Sequence, residues 1–234
     1  RDVLTDFIGD AELKSIMSDG YNAYTFIGNE LKAAETPNLS KTDHQVCLAH
    51  ARAKFVKASE QAGDKNADIF IKYIEDLYNL ERQYAKDNLT DEERGKQRQS
   101  LETKGILINL RTHLCIEKSK DPATVTPYLQ KALNYLDTFW TNLFTYIKDG
   151  SYPIDNNAAE RAVRPLTTQR NSMLHFGSDE GAKMAATYHS IISTVKLQGR
   201  SAWDYLGKFF VNIFNGCRDF FSLRPGNIGL ATCQ

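Results

Sequence analysis

Across residues 51–148 apolar side chains recur every three or four positions, and only Gly63, Gly95, Gly105, Pro122 and Pro127 stand where a helix would falter. That period belongs to the α-helix, which returns one face to the core about every 3.6 residues. The spacing predicts a helix carrying Phe55 and Ala58 and a second carrying Ile69, Phe70, Tyr73, Ile74, Leu77 and Tyr84. A third opens with the capping box Thr90-Asp91-Glu92-Glu93 and runs past Leu101, Leu107 and Leu114. Beyond the prolines, Tyr128, Leu129, Ala132, Leu133, Leu136, Trp140, Leu143 and Phe144 form one more stripe, which stops at Asp149-Gly150. Aromatic stripes at this spacing are core far more often than ligand site, so they are assigned to helix packing.

The flanks read differently. Val3, Leu4, Phe7 and Ile8 lie on one side of a short helix, residues 12–19 read as a strand, and Gly20 ends it. Residues 21–32 suggest an amphipathic helix through Tyr24, Ile27 and Leu31, broken by Thr36-Pro37-Asn38 before a second strand at 44–48. On the far side a helix begins near Asn157, and another spans 178–199 with Ala185, His189, Ile192 and Val195 on one face. A last helix starts at the capping box Ser201-Ala202-Trp203-Asp204 and is expected to bury Leu206, Phe209, Phe210 and Ile213. The organisation is therefore an α/β segment over 1–50, a helical stretch over 51–150, a helical return over 151–216 and a loosely held tail over 217–234. The class is α/β, predominantly helical.

With 234 residues and 41% hydrophobic content the chain can bury a sizeable core. Its longest apolar runs fall far short of the roughly 20 residues a membrane span needs, and no signal-peptide pattern opens it, so a cytoplasmic protein without a membrane partner is expected. Cys47, Cys115, Cys217 and Cys233 are scattered without a C-x-x-C pair, which suggests reduced thiols and neither a disulfide framework nor a four-cysteine zinc site. The 29 basic and 29 acidic residues cancel, so any argument for a polyanionic partner must be local. Residues 41–57 hold Lys41, Arg52, Lys54 and Lys57 against Asp43 alone, and residues 161–177 hold Arg161, Arg164 and Arg170 with no acid. Such runs are usually solvated faces. Here each follows an acid of interest.

The first of those acids is Asp19, where a strand runs out into Gly20-Tyr21; in open α/β sheets functional groups gather at the carboxyl ends of strands. An aspartate that merely starts a turn is the plainer alternative. The second is Glu160, which with Asn157 as N-cap would complete a capping box needing no catalysis. Glu160 and Arg164 are four apart and share a helix face, so the face bearing the acid also presents a cation. Carboxylates from separate elements, set among cations, are what a magnesium-type site for phosphoryl transfer requires. Cys47 and His50 have a spacing compatible with zinc, but no second pair stands out; His113 and Cys115 are two apart in a helical pattern and point to different faces, so no zinc is expected.

Four motifs in order, Ser18-Asp19-Gly20-Tyr21-Asn22-Ala23-Tyr24, Cys47-Leu48-Ala49-His50-Ala51-Arg52-Ala53-Lys54-Phe55, the stretch 155–165 (Asp-Asn-Asn-Ala-Ala-Glu-Arg-Ala-Val-Arg-Pro) and Phe176-Gly177-Ser178-Asp179, resemble transposases of the insertion-sequence-66 family. The resemblance implies a ribonuclease H-like catalytic core with an Asp-Asp-Glu triad, interrupted by a helical insertion before the glutamate. Residues 1–50 would then be a partial core retaining two short strands, 51–150 the insertion, and 151–216 the return carrying the glutamate. Asp19 would match the second aspartate and Glu160 the glutamate, both as catalytic and metal-binding residues. Cys47 and His50 would match a family signature of unknown role. Arg52, Lys54, Asn156, Asn157, Arg161, Arg164 and Arg170 would contact DNA. The reaction implied is Mg2+- or Mn2+-dependent strand cleavage and transfer by a nucleoid-associated, self-associating protein acting on transposon ends and target DNA. The first aspartate is expected on a strand well before Asp19, where only 18 residues stand; Asp2, Asp6 and Asp10 fall on or beside a helix. The chain by itself is therefore expected to bind metal weakly and to be inactive. A helical protein-interaction module and a ribonuclease H-like nuclease or resolvase are the alternatives.

Overall fold

The computed structural model describes residues 2–24, 26–28, 39–173 and 175–229, which fall into two compact units, residues 1–157 and 158–234.

The first unit begins with α1 (Asp2–Ile8) and β1 (Ser15–Ser18), and β2 (Asp43–Val46) runs parallel to β1 with Ser15 opposite Asp43 and Ser18 opposite Val46. The ladder is extended at both ends, by Asp43 N–H to the Lys14 carbonyl and by Cys47 N–H to the Ser18 carbonyl, each at 2.9 Å. Among the described residues this two-stranded parallel sheet is the only one. Both strands are shorter than their apolar patterns suggested. The expected helix over 21–32 is a 3-10 turn at Asn22–Tyr24 where described, because Gly20 (φ +81°) and Gly28 (φ +68°) reverse the backbone on either side; residues 25 and 29–32 lie outside the described residues. Phe26, Ile27 and Leu39 form a small cluster with Leu4, Ile8, Ile16 and Tyr24.

From the end of β2 the chain enters α2 (Leu48–Ala62), turns at Gly63 in the left-handed conformation, and returns as α3 (Lys65–Lys86). Asp64 caps α3 by accepting Asn66 N–H at 3.1 Å, and its other oxygen accepts the Thr126 hydroxyl at 2.7 Å. The predicted third helix is two: α4 (Asp91–Arg98), opened by the expected Thr90/Glu93 capping box, and α5 (Leu101–Lys118), newly capped by Ser100. The side chain of Ser100 takes Thr103 N–H, which gives the chain a way to restart a helix in a new direction. α6 (Pro127–Thr138), with proline in its first turn, and the single-turn α7 (Trp140–Leu143) complete the unit's helices before the α8 boundary.

The core lies among α2, α3, α5 and α6. Phe55 and Phe70 stack at 4.6 Å, and Leu48, Ile74, Leu77, Leu110, Leu114, Leu129, Leu133 and Leu136 are buried around them. Each fully buried side chain of this kind contributes about 1.5–3 kcal/mol. α7 and the residues after it return to β2: Asn142 Nδ2 donates to the His44 carbonyl (2.9 Å), Lys148 pairs with Asp43 (2.7 Å), and Leu48 N–H donates to the Ile154 carbonyl (3.3 Å).

The second unit holds the body of α8 (Asn157–Met173), α9 (Asp179–Leu197) and α10 (Ala202–Phe214). Ser178 and Ser201 cap the last two through Gly181 and Asp204 N–H. Val195, Tyr205, Cys217, Leu223 and Ile228 are buried together, and the Tyr205 hydroxyl donates to the Leu223 carbonyl at 2.9 Å, so residues well beyond Gly216 take part in packing. Phe210, expected inside, is half exposed, because Tyr205 takes the inward position and rotates the buried face of α10 toward Leu206, Phe209 and Ile213. Cys47 and Cys115 are free thiols, whereas Cys217 is disulfide-bonded where a reduced thiol was expected. No described helix is long and apolar enough to cross a membrane.

Candidate metal and nucleic-acid site

The parallel pairing of β1 and β2 puts two singled-out residues side by side in sequence of structure: Asp19 follows the last residue of β1 and Cys47 the last residue of β2. Asp19 is exposed, and one of its carboxylate oxygens accepts Tyr21 N–H at 2.9 Å, the geometry of an Asx turn. Its carbonyl accepts the Tyr135 hydroxyl from α6 at 2.7 Å. A Cβ on Gly20 would lie 2.8 Å from that hydroxyl, and its φ is +81°, so both space and backbone require glycine after Asp19. Ser18 supports the same turn: its Oγ accepts Gly20 N–H (3.2 Å) and lies 2.9 Å from His44 Nε2. Burial lowers the His44 pKa and holds the ring neutral.

Cys47 is wholly buried, and burial pushes its thiol up from its ordinary value. Its sulfur accepts the N–H of Asn156 at 3.4 Å. Asn156 Oδ1 is buried without a hydrogen-bond partner among the described residues. Next to it, Asp155 is a junction: one oxygen accepts Asn157 N–H (3.0 Å), the other accepts Asn157 Nδ2 (2.7 Å) and the Tyr78 hydroxyl from α3 (2.9 Å). Tyr78 is raised far above the usual phenol range by burial first and by the Asp155 charge second. Segment 154–157 is thus pinned by β2, α2 and α3 immediately before α8 begins.

Of the other expected site residues, His50 is half-buried on the first turn of α2. Arg52, on the same helix, lies 3.6 Å from Glu75, and Lys54 sits 4.6 Å from the centroid of the Tyr135 ring, which also holds Asp19. Glu160 occupies the first turn of α8, which starts at Asn157, and is exposed, as are Arg161, Arg164 and Arg170 further along that helix. α8 continues through Pro165, which has no N–H to give the Arg161 carbonyl. The structure therefore gathers Asp19, Cys47, Lys54, Asn156 and Asn157 around the strand ends, with Arg52 one turn along α2, within the first unit. It sets Glu160 and the three arginines along α8.

Sequence reasoning missed Tyr78, Tyr135 and Asp155. The tyrosines sit within apolar stripes, where a hydroxyl at the rim looks like core. Asp155 opened a quoted motif but was overshadowed by Glu160. Asp19 offers one carboxylate oxygen that no described residue engages, a donor of the kind hard divalent cations take.

The family described as Transposase IS66 family matches residues 2–184. Uncharacterized protein y4qI of Sinorhizobium fredii is 30% identical over 216 residues, covering 89% of this chain and 38% of that protein. Uncharacterized protein y4jD of the same organism is 27% identical over 198 residues, covering 85% of this chain and 37% of the relative. A third, y4hP, is 28% identical over 197 residues, with 78% and 33% covered. The chain spans between 33% and 38% of the length of these relatives. No solved structure matches. With a family match across residues 2–184, the chain belongs to the IS66 transposase family.

Proposed function

We propose that this chain is part of the catalytic region of a DNA transposase whose parent protein cleaves and joins DNA strands with an Asp-Asp-Glu triad on a ribonuclease H-like core. Family membership, together with Asp19 at the carboxyl end of a strand in a parallel pair, is the observation that carries it. Asp19 and Glu160 are two oxygen ligands for Mg2+ or Mn2+, and the remaining aspartate comes from another part of the parent. When bound, such a cation activates the attacking oxygen and stabilises the leaving one.

The chain's own residues do the positioning. Tyr135 and Gly20 hold the Asp19 turn, and the Cys47, Tyr78 and Asp155 anchors hold the entry to the Glu160 helix. Arg161, Arg164 and Arg170, with Arg52 and Lys54, supply the charge that neutralises phosphates, so DNA binding falls steeply with salt. Self-association would bring two transposon ends together.

The test is a strand-cleavage and strand-transfer assay of the full-length parent with a labelled duplex. Asp19→Asn and Glu160→Gln should each abolish both products without abolishing DNA binding. Wild-type yields from either variant would refute the ligand assignment, and cleavage without joined product would favour a nuclease or resolvase on the same core. In the isolated chain, tight Mn2+ binding sensitive to Asp19→Ala would contradict an incomplete ligand set.

A further inference from the structure

One face of α2 and one face of α3 border an open groove of about 550 Å³ within the first unit. The α2 side runs through Ala49, Arg52, Ala53, Val56, Lys57, Glu60 and Gln61, steps of three and four that keep every one of them on a single face. Glu75, Tyr78 and Arg82 come from α3 by the same rule, and Asn157 lies at the groove as well. Ala49 and Ala53 contribute short side chains to its lining, and Arg52, Lys57 and Arg82 contribute long cationic ones. From residue 49 to residue 61 the groove extends about 18 Å along the helix axis, at about 1.5 Å per residue. That is about five nucleotide steps of a strand in duplex DNA, which advances about 3.4 Å each.

Glu75 stands between the two guanidiniums. Arg82 Nη2 lies 2.5 Å from Glu75 Oε1, and Arg52 Nε lies 3.6 Å from Glu75 Oε2. Arg82 also donates to Asn79 Oδ1. All three charged side chains are more than a third exposed, so the pairing is weak and exchangeable. Lys57 has no carboxylate partner among the described residues and lies 5.4 Å from the Tyr128 ring centroid. Glu75 is bonded by Arg82 and lies near an Arg52 Nε that has no hydrogen-bond partner among the described residues, so it is an anion that a phosphodiester oxygen can replace at both guanidiniums.

We propose that this groove is a DNA-backbone track, in which Arg52, Lys57 and Arg82 contact successive phosphates and Glu75 acts as an internal competitor that keeps the affinity low. The proposal rests on the transposase reading and adds to it: the strand leaves the site at Asn157 and lies along α2, outside the cation set of α8. Glu75 must release both arginines when phosphate enters. Removing its charge therefore tightens binding, whereas removing any of the three cations weakens it.

The experiment is fluorescence anisotropy of a labelled 20-base-pair duplex and of the corresponding single strand with the 234-residue chain at several salt concentrations. Arg52→Ala, Lys57→Ala and Arg82→Ala should each weaken binding about two- to fivefold. Each should also lower the salt slope by about one. Glu75→Gln should tighten it by a similar factor, while Glu92→Gln, which also removes a paired acid but on α4 and beside Lys96, should leave it unchanged. Loss of stability does not by itself predict a gain in affinity, so the Glu75 variant, with its circular dichroism spectrum and melting temperature matching the wild type, keeps the test decisive even if an arginine variant loses stability. Loss confined to Arg161→Ala, Arg164→Ala and Arg170→Ala, with the groove variants neutral, would overturn the track and leave the transposase reading standing. Tighter binding of polyglutamate than of DNA, with the same variant pattern, would overturn it in favour of an acidic polypeptide. Absence of any DNA binding at low salt would also overturn it, and the strand-transfer assay of the parent then judges the transposase reading independently.

Discussion

The sulfur of Cys47, at the end of β2, accepts the backbone N–H of Asn156 at 3.4 Å across 109 residues of chain. This contact gives Cys47 a physical role: it secures the segment that leads into α8. Cys47→Ala leaves that part-buried N–H without its acceptor, and such a loss costs about 1 kcal/mol. Urea denaturation should read a loss of that size. In the native protein iodoacetamide should modify the exposed Cys115 and spare Cys47, because the thiolate is the nucleophile and burial keeps Cys47 protonated. Equal labelling of both thiols would refute the buried-acceptor assignment.

Tyr78 and Asp155 form the second anchor of the same segment, at 2.9 Å. Tyr78→Phe removes a donor from a half-buried carboxylate, and a hydrogen bond to a charged group contributes about 1.5–3 kcal/mol. Asp155→Asn should cost a comparable amount, and the double variant should cost less than the sum, since the two share one interaction. Strict additivity in denaturation midpoints would show that the hydroxyl and the carboxylate do not act together.

The helices were legible largely from apolar period: α3 lies under its stripe, the stripe over 128–144 is divided at Phe139 between α6 and α7, and the Thr90 capping box opens α4 as read. The break at Gln99-Ser100 was not, because its cause is tertiary. Arg98 must end α4 aimed at Glu81 and the Tyr146 carbonyl, partners 17 and 48 residues away. The turn at Asn22–Tyr24 was hidden for the opposite reason, since Tyr24 and Ile27 keep helical spacing while Gly20 and Gly28 decide the backbone. Among the candidate residues, Asp19 and Glu160 stood out as acids in turn-forming and basic surroundings. Tyr78 and Tyr135 were not, because a hydroxyl at the edge of an aromatic stripe acquires meaning only when a distant chain segment meets it.

His44 makes the first unit's stability depend on mild acid. Burial lowers its folded pKa below its ordinary value of about 6.5, so between that value and the lowered one the unfolded chain binds more protons than the folded chain. Stability contributed by this residue is therefore complete above about pH 6.5 and falls as pH falls below it. Protonation also fixes Nε2 as a donor toward the hydroxyl of Ser18, which supports the Asp19 turn. Melting temperatures measured from pH 8 to pH 5 should decline more steeply for the wild type than for His44→Gln. Parallel curves would rule out His44 as the source.

The buried ion pair of Arg98 and Glu81 carries the largest expected single-residue effect. Arg98 Nε and Nη2 donate to both Glu81 oxygens at 2.8 and 2.7 Å, and Nη1 donates to the carbonyls of Tyr146 and Asp149 at 2.8 and 2.6 Å. The arginine side chain is only 2% exposed, and it lies 4.9 Å from the Tyr146 ring centroid. One side chain thus joins α3, the end of α4 and the turn from which the chain returns to β2. Arg98→Met leaves a buried carboxylate and two carbonyls without donors, a loss of about 3–5 kcal/mol. Arg98→Lys should recover little, because an ammonium cannot present two parallel N–H groups to one carboxylate while reaching the carbonyls. Arg98→Met combined with Glu81→Leu should recover part of the loss by removing the orphaned charge, and the carbonyls should limit the recovery. Urea denaturation of the three variants orders them, and an Arg98→Met protein within about 1 kcal/mol of wild type would mean that water reaches Glu81 and that the pair holds nothing together.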